Sequence, residues 1–164
     1  MSNDEVVGLL VELIRIPSFV TGEPGVNENK LVDFIENWLK KNTSLTLQRQ
    51  SLPDGRFNLI AKNGEPETVF LGHTDTVAPS NNALFDQLSG KILKDEIWGR
   101  GATDMKSGLA ALMSAAAQTK EAKNYWIFFY ADEEYDFLGM KELVKQYGNL
   151  KPKVLISVDG SDLA

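Results

Sequence analysis

The chain has 164 residues, and 17 Lys+Arg against 23 Asp+Glu give a formal net charge of −6. Its 43% hydrophobic and 24% charged residues mark a folded chain, and the length suits one domain. The absence of cysteine excludes disulfide frameworks, cysteine zinc sites, iron–sulfur clusters and thiol nucleophiles. An acidic balance argues against a nucleic-acid partner, because phosphate binding needs clustered Lys and Arg. No apolar run nears the ~18 residues of a membrane span, and the acidic start Met1-Ser2-Asn3-Asp4-Glu5 is unlike a signal peptide. The expectation is a cytoplasmic protein with no membrane contact. His73 is the single histidine, so any imidazole chemistry is built around it.

From Asp4 to Ile16, Val6, Leu9, Leu10, Leu13 and Ile14 recur at helical spacing, and Pro17 follows the stop. Thr21-Gly22-Glu23-Pro24-Gly25 reads as a loop, and Asn27 to Lys41 as a second amphipathic helix. Leu45-Thr46-Leu47-Gln48 then alternates like a strand, with Asn58-Leu59-Ile60-Ala61 as its hairpin partner across Pro53-Asp54-Gly55. Three continuous apolar runs follow: Val69 to Leu71, Trp126 to Ala131, and Val154 to Val158. Such runs predict strands buried on both faces of a sheet. Helical stretches, Ser107 to Thr119 and Phe137 to Tyr147, separate them. The pattern predicts an α/β fold: a three-layer sandwich with a mainly parallel central sheet and helices on both faces.

Each of the three apolar runs ends in side chains able to hold a metal. The first leads into His73-Thr74-Asp75, the second into Asp132-Glu133-Glu134-Tyr135-Asp136, and the third into Asp159. A further acid, Asp104, precedes the Ala-rich helix. In open α/β sheets ligands bind outside the carboxyl ends of the strands, so parallel neighbours would bring these groups to one rim. Singly, each has a plain explanation: a structural histidine, a turn former, a solvated acidic loop, a helix-capping carboxylate. Together they favour a cation, since four acids within five residues repel one another unless something offsets them. His73 and Asp75 point the same way in extended chain, so Asp75 can fix the imidazole tautomer. Glu133 and Glu134 are adjacent and point apart, so one can bind metal while the other faces a water as general base. Nucleotide motifs fail: Gly99-Arg100-Gly101 begins a G-x-G-x-x-G pattern, but the last glycine position is Asp104.

Leu71-Gly72-His73-Thr74-Asp75-Thr76-Val77, Gly99-Arg100-Gly101-Ala102-Thr103-Asp104-Met105-Lys106-Ser107-Gly108 and Ala131-Asp132-Glu133-Glu134 resemble the motifs of the M20 metallohydrolases. That family includes acetylornithine deacetylase, succinyl-diaminopimelate desuccinylase and carboxypeptidase G2. The resemblance implies a zinc-peptidase-like fold and a pair of zinc ions, with cobalt or manganese as substitutes. It implies His73 and Asp159 on one metal, Glu134 on the other and Asp104 bridging both, with Asp75 orienting His73. Glu133 would be the base toward the attacking water, and the reaction would be hydrolysis of an amide in an N-acyl amino acid or small peptide. Family members continue into a lid or dimerisation domain and a returning segment that supplies a second histidine. This sequence ends five residues after Asp159. The expectation is therefore a single domain, 1–164, forming the N-terminal part of such a catalytic domain, incomplete alone and prone to self-association or to binding a complementing chain. The alternative is a non-catalytic metal-binding or interaction domain derived from that family.

Overall fold

The computed structural model describes residues 2–21, 28–119 and 121–160. Helix α1 (Asn3–Arg15) opens with a capping box, in which the Ser2 side chain accepts from the Glu5 amide and Glu5 answers to the Ser2 amide. Helix α2 (Asn29–Asn42) begins two residues later than the sequence pattern predicts; most of the predicted Thr21–Gly25 loop and Asn27 lie outside the described residues. Strands β1 (Thr46–Ser51) and β2 (Phe57–Asn63) form the predicted antiparallel hairpin, with Leu47 opposite Ala61.

The remaining strands are β3 (Thr68–His73), β4 (Lys91–Leu93), β5 (Glu96–Trp98), β6 (Tyr125–Tyr130) and β7 (Val154–Ser157). Helices α3 (Ser107–Gln118) and α4 (Leu138–Tyr147) complete the set. The main sheet runs β1-β2-β6-β3-β7. Within it β6, β3 and β7 are parallel, and the hairpin joins them antiparallel through β2 and β6. The parallel trio was predicted by its continuous apolar runs. Alternate residues of those strands face opposite layers. Leu59, Ala61, Ile127 and Phe129 pack with Leu13, Leu31, Ile35 and Leu109 of α1, α2 and α3. Ile60, Val69, Phe128 and Tyr130 pack on the other face with Leu143 of α4.

Helix α4 sits hard against the end of β6 because Gly139 lacks a side chain. A Cβ there would stand 2.5 Å from Asn58 Oδ1 and 2.6 Å from the Ala131 amide nitrogen. Asn58 fills that junction, donating to the Gly139 carbonyl at 2.8 Å while its Oδ1 accepts from the Ala131 amide at 3.0 Å.

Two features differ from the sequence expectation. Strand β7 is not buried on both faces: Val154, Leu155 and Ile156 are 46%, 61% and 38% exposed. It is the sheet's edge strand, so β3 covers one side only. The β4–β5 hairpin was not predicted. Its strands, Lys91-Ile92-Leu93 and Glu96-Ile97-Trp98, are three residues each and mostly exposed, too short to carry an apolar alternation that would announce them.

Candidate metal centre

Parallel register places the ends of β6, β3 and β7 on one rim, with His73 opposite Tyr130 and Leu71 opposite Ser157. His73 is the last residue of β3 and is 1% exposed. Asp159 follows β7 by two residues. Asp104 arrives from an irregular turn, Ala102–Lys106, which Gly101 enters at φ +76° and in which Asp104 itself is non-helical. Only glycine enters that left-handed region without strain. Lys106 ties the turn down: its buried Nζ donates to the Leu13 and Ile16 carbonyls at 3.0 and 2.8 Å, at the C-terminal end of α1.

One ligand atom from each of His73, Asp104 and Asp159 lies within 4.8 Å of the others. His73 Nε2 stands 2.8 Å from Asp104 Oδ1, whose side chain is 55% exposed. On the other side of the ring, Nδ1 faces the Asp75 backbone oxygen at 3.0 Å and its carboxylate at 3.5 Å. Burial works against charge on this imidazole, but Asp75 and Asp104 outweigh it and raise its pKa to about 9. Asp75 has a second task that spacing alone did not reveal. Its two carboxylate oxygens accept from the Glu133 and Glu134 amides, both at 2.9 Å. Burial raises its pKa, yet the His73 hydrogen bond and these two amides bring it below the usual carboxylate range.

The remaining acids are crowded. Burial raises the Glu133 pKa, and Asp159 and Glu134 add repulsion while His73 counters it. Burial likewise raises Glu134 and Asp159, each pushed further by Asp104. Glu134 lines the same cleft as Asp104 and is not one of the three clustered ligands. Asp132, read in the sequence as part of an acidic run needing a cation, is instead neutralised within the protein: Arg56 Nη1 approaches its Oδ1 at 2.8 Å. Arg56 also meets buried Glu28 at 3.1 Å and Asp54 at 2.5 Å. Asp132 in turn caps α4, accepting from the Leu138 amide at 3.1 Å. The Glu133–Glu134 turn is thus held from two sides, by Asp75 and by the Arg56–Asp132 pair.

The donor set fits a zinc ion. One imidazole nitrogen and two carboxylate oxygens are ligands zinc takes, and tetrahedral ligands bound at about 2.0–2.1 Å stand about 3.3 Å apart. The 2.8 Å His73–Asp104 separation needs to open by only about half an ångström against that span, on the side of the exposed Asp104.

The profile of peptidase family M20/M25/M40 matches residues 69–162. A succinyl-diaminopimelate desuccinylase of Ehrlichia canis is 34% identical over 119 residues, 68% of this chain and 30% of the relative. One from Beijerinckia indica is 31% identical over 144 residues, 80% of this chain and 36% of the relative. The chain therefore spans about a third of the length of the curated relatives it matches. Among solved structures, human carnosine dipeptidase 1 superimposes with a TM-score of 0.77 at 19% identity, covering 96% of this chain and 38% of that one. An M20 metallo-carboxypeptidase from Sulfolobus solfataricus gives 0.76 at 19% identity, covering 96% and 37%. The three motifs, the sheet that brings them to one rim and the profile match make this chain a member of the M20/M25/M40 peptidase family.

Proposed function

We propose that the chain forms the metal-holding part of a zinc-dependent hydrolase acting on amide bonds in N-acyl amino acids or small peptides. The observation that carries this reading is the convergence of His73, Asp104 and Asp159 within 4.8 Å, with Glu133 and Glu134 beside them. A divalent ion bound there would polarise the amide carbonyl and lower the pKa of water. His73, Asp104 and Asp159 would hold it, and Asp104 and Glu134 would help to hold a second ion. Asp75 keeps the proton on Nδ1 and so presents the Nε2 lone pair. Glu133, its pKa raised, is the base that accepts the proton of the attacking water. The desuccinylase relatives support an N-acyl amino acid as substrate, and the chain spans only about a third of their length, so further chain is proposed to complete the site.

Glu133→Gln tests the assignment of the base. With the completing chain present, the zinc-loaded variant is expected to keep its metal and to lose about 10²–10⁴-fold in hydrolysis of N-succinyl and N-acetyl amino acids. Unchanged turnover would overturn the role. The second reading, a metal-binding module without catalysis, is favoured by one fact: the single histidine leaves the Asp104–Glu134 side without an imidazole. It predicts zinc retention with no turnover even when the completing chain is present, so the same assay run with that chain decides between them.

Metal uptake carries a pH signature. His73 is protonated below about pH 9 in the metal-free chain, and its Nε2 faces Asp104 where the metal would sit. Zinc binding at pH 7.5 is therefore expected to release close to one proton, and affinity to rise about tenfold per pH unit until near pH 9. Calorimetry in buffers of different ionisation enthalpy counts that proton. Release of none would contradict the assignment of His73.

A further inference from the structure

Backbone amides along β3 point alternately to its two neighbours, and the Thr74 amide just beyond it donates to the Tyr130 carbonyl of β6 at 2.8 Å. The His73 amide therefore faces the β7 side, where pairing with β3 ends at Leu71 and Ser157. It donates instead to Met105 Sδ at 2.9 Å, in a buried contact. A thioether is a weak acceptor, yet a buried amide needs one, and with Met105 0% exposed and His73 1% exposed no water replaces it. The Met105 methyl fills a slot that two glycines leave open. A Cβ on Gly72 would stand 3.0 Å from Met105 Cε and 3.7 Å from Val158 Cγ2. One on Gly108 would stand 3.2 Å from Met105 Cε and strike the Val158 carbonyl. An unbranched, adaptable side chain suits such a gap. Gly72 precedes His73, Val158 precedes Asp159, and Met105 itself follows Asp104. The three ligand-bearing segments thus meet around one thioether.

We propose that Met105 is the positioning residue of the metal centre: its sulfur holds the end of β3 at His73, its methyl spaces β3 from Val158, and its backbone carries Asp104. It touches neither metal nor substrate. The proposal rests on the metal reading above, since it concerns how the three ligands are set against one another. Lys106 holds the same turn from α1, so the Asp104 backbone is fixed from two sides although its side chain is 55% exposed. Loss of the sulfur leaves a buried amide without an acceptor and lets the imidazole move relative to Asp104 and Asp159.

The test compares Met105→Leu with Met113→Leu in the ¹⁵N-labelled chain. Met113 is equally buried, in α3, but borders neither Gly72 nor Gly108, so it controls for loss of packing alone. Zinc affinity, read by competition with a chelator, is expected to fall about tenfold in Met105→Leu and to stay within about twofold of wild type in Met113→Leu. The visible spectrum of the cobalt-loaded chain, which reports ligand geometry, should change in the first variant and not in the second. Norleucine in place of methionine throughout keeps the shape and removes only the sulfur. That protein should show faster exchange of the His73 amide and a similar loss of zinc affinity, and it carries the test alone should Met105→Leu fail to fold. Unchanged zinc affinity in either the Met105→Leu or the norleucine protein overturns the proposal, as does an equal loss in Met113→Leu. A wild-type chain that binds no zinc refutes the metal reading on its own. The resonances of the single imidazole then decide the positioning role in the metal-free chain: they should move in Met105→Leu or the norleucine protein and stay in place in Met113→Leu, and resonances that do not move overturn it.

Discussion

Replacing Arg56 with Met is expected to destabilise the chain by about 3–5 kcal/mol, the usual cost of leaving buried partners of an ion pair uncompensated. The side chains of Arg56, Asp132 and Glu28 are 8%, 5% and 0% exposed, so water cannot replace the guanidinium. Even with Arg56 in place, burial pushes the Glu28 pKa up to about 7 from an ordinary 4.5, the arginine only partly opposing it. Folding therefore favours protonated Glu28, and its contribution is lost as pH rises from 4.5 through about 7. Without the arginine that window extends higher, so the deficit of Arg56→Met should be larger at pH 8 than at pH 5. Urea unfolding at the two pH values measures it. A deficit under about 1 kcal/mol, or one independent of pH, would show that the cluster is not held by charge.

The second large effect is expected from Asp75→Asn. The substitution preserves shape but removes the charge behind His73 and turns one of the two oxygens that accept the Glu133 and Glu134 amides into a donor. A residue that orients a metal-binding histidine typically contributes about 10–100-fold in metal affinity. The mismatched amide costs about 1–3 kcal/mol in addition. Zinc competition against a chromophoric chelator reads the first, and thermal unfolding the second. Loss of stability with unchanged zinc affinity would confine Asp75 to holding the turn.

Much of the layout was legible because it rests on local periodicity. The apolar runs located β3, β6 and β7, and their parallel pairing brings His73 and Asp159 to the same rim as Asp104. Asp75 was legible as a partner of His73 through their two-residue spacing, but not as the anchor of the Glu133–Glu134 turn, which is 58 residues away in sequence. Arg56 carried no signal for a similar reason: its pairing with Glu28 and Asp132 joins three distant segments, and a lone arginine in a hairpin turn looks like surface charge. The run Asp132 to Asp136 misled in part, since a side chain rather than a cation offsets Asp132. Strand β7 has the composition of a buried strand but is exposed here, because edge position is a property of topology and not of a four-residue sequence. The β4–β5 hairpin sits in a stretch with no periodicity to read.

The central claim is that His73, Asp104 and Asp159 together hold a metal. Elemental analysis of the zinc-loaded chain after exhaustive dialysis, beside His73→Ala, tests it most directly. The account predicts one retained zinc per chain in the wild type, none in His73→Ala, and loss on dialysis of any ion at the Asp104–Glu134 side, which lacks an imidazole. Equal zinc in both proteins, or none in either, would contradict it.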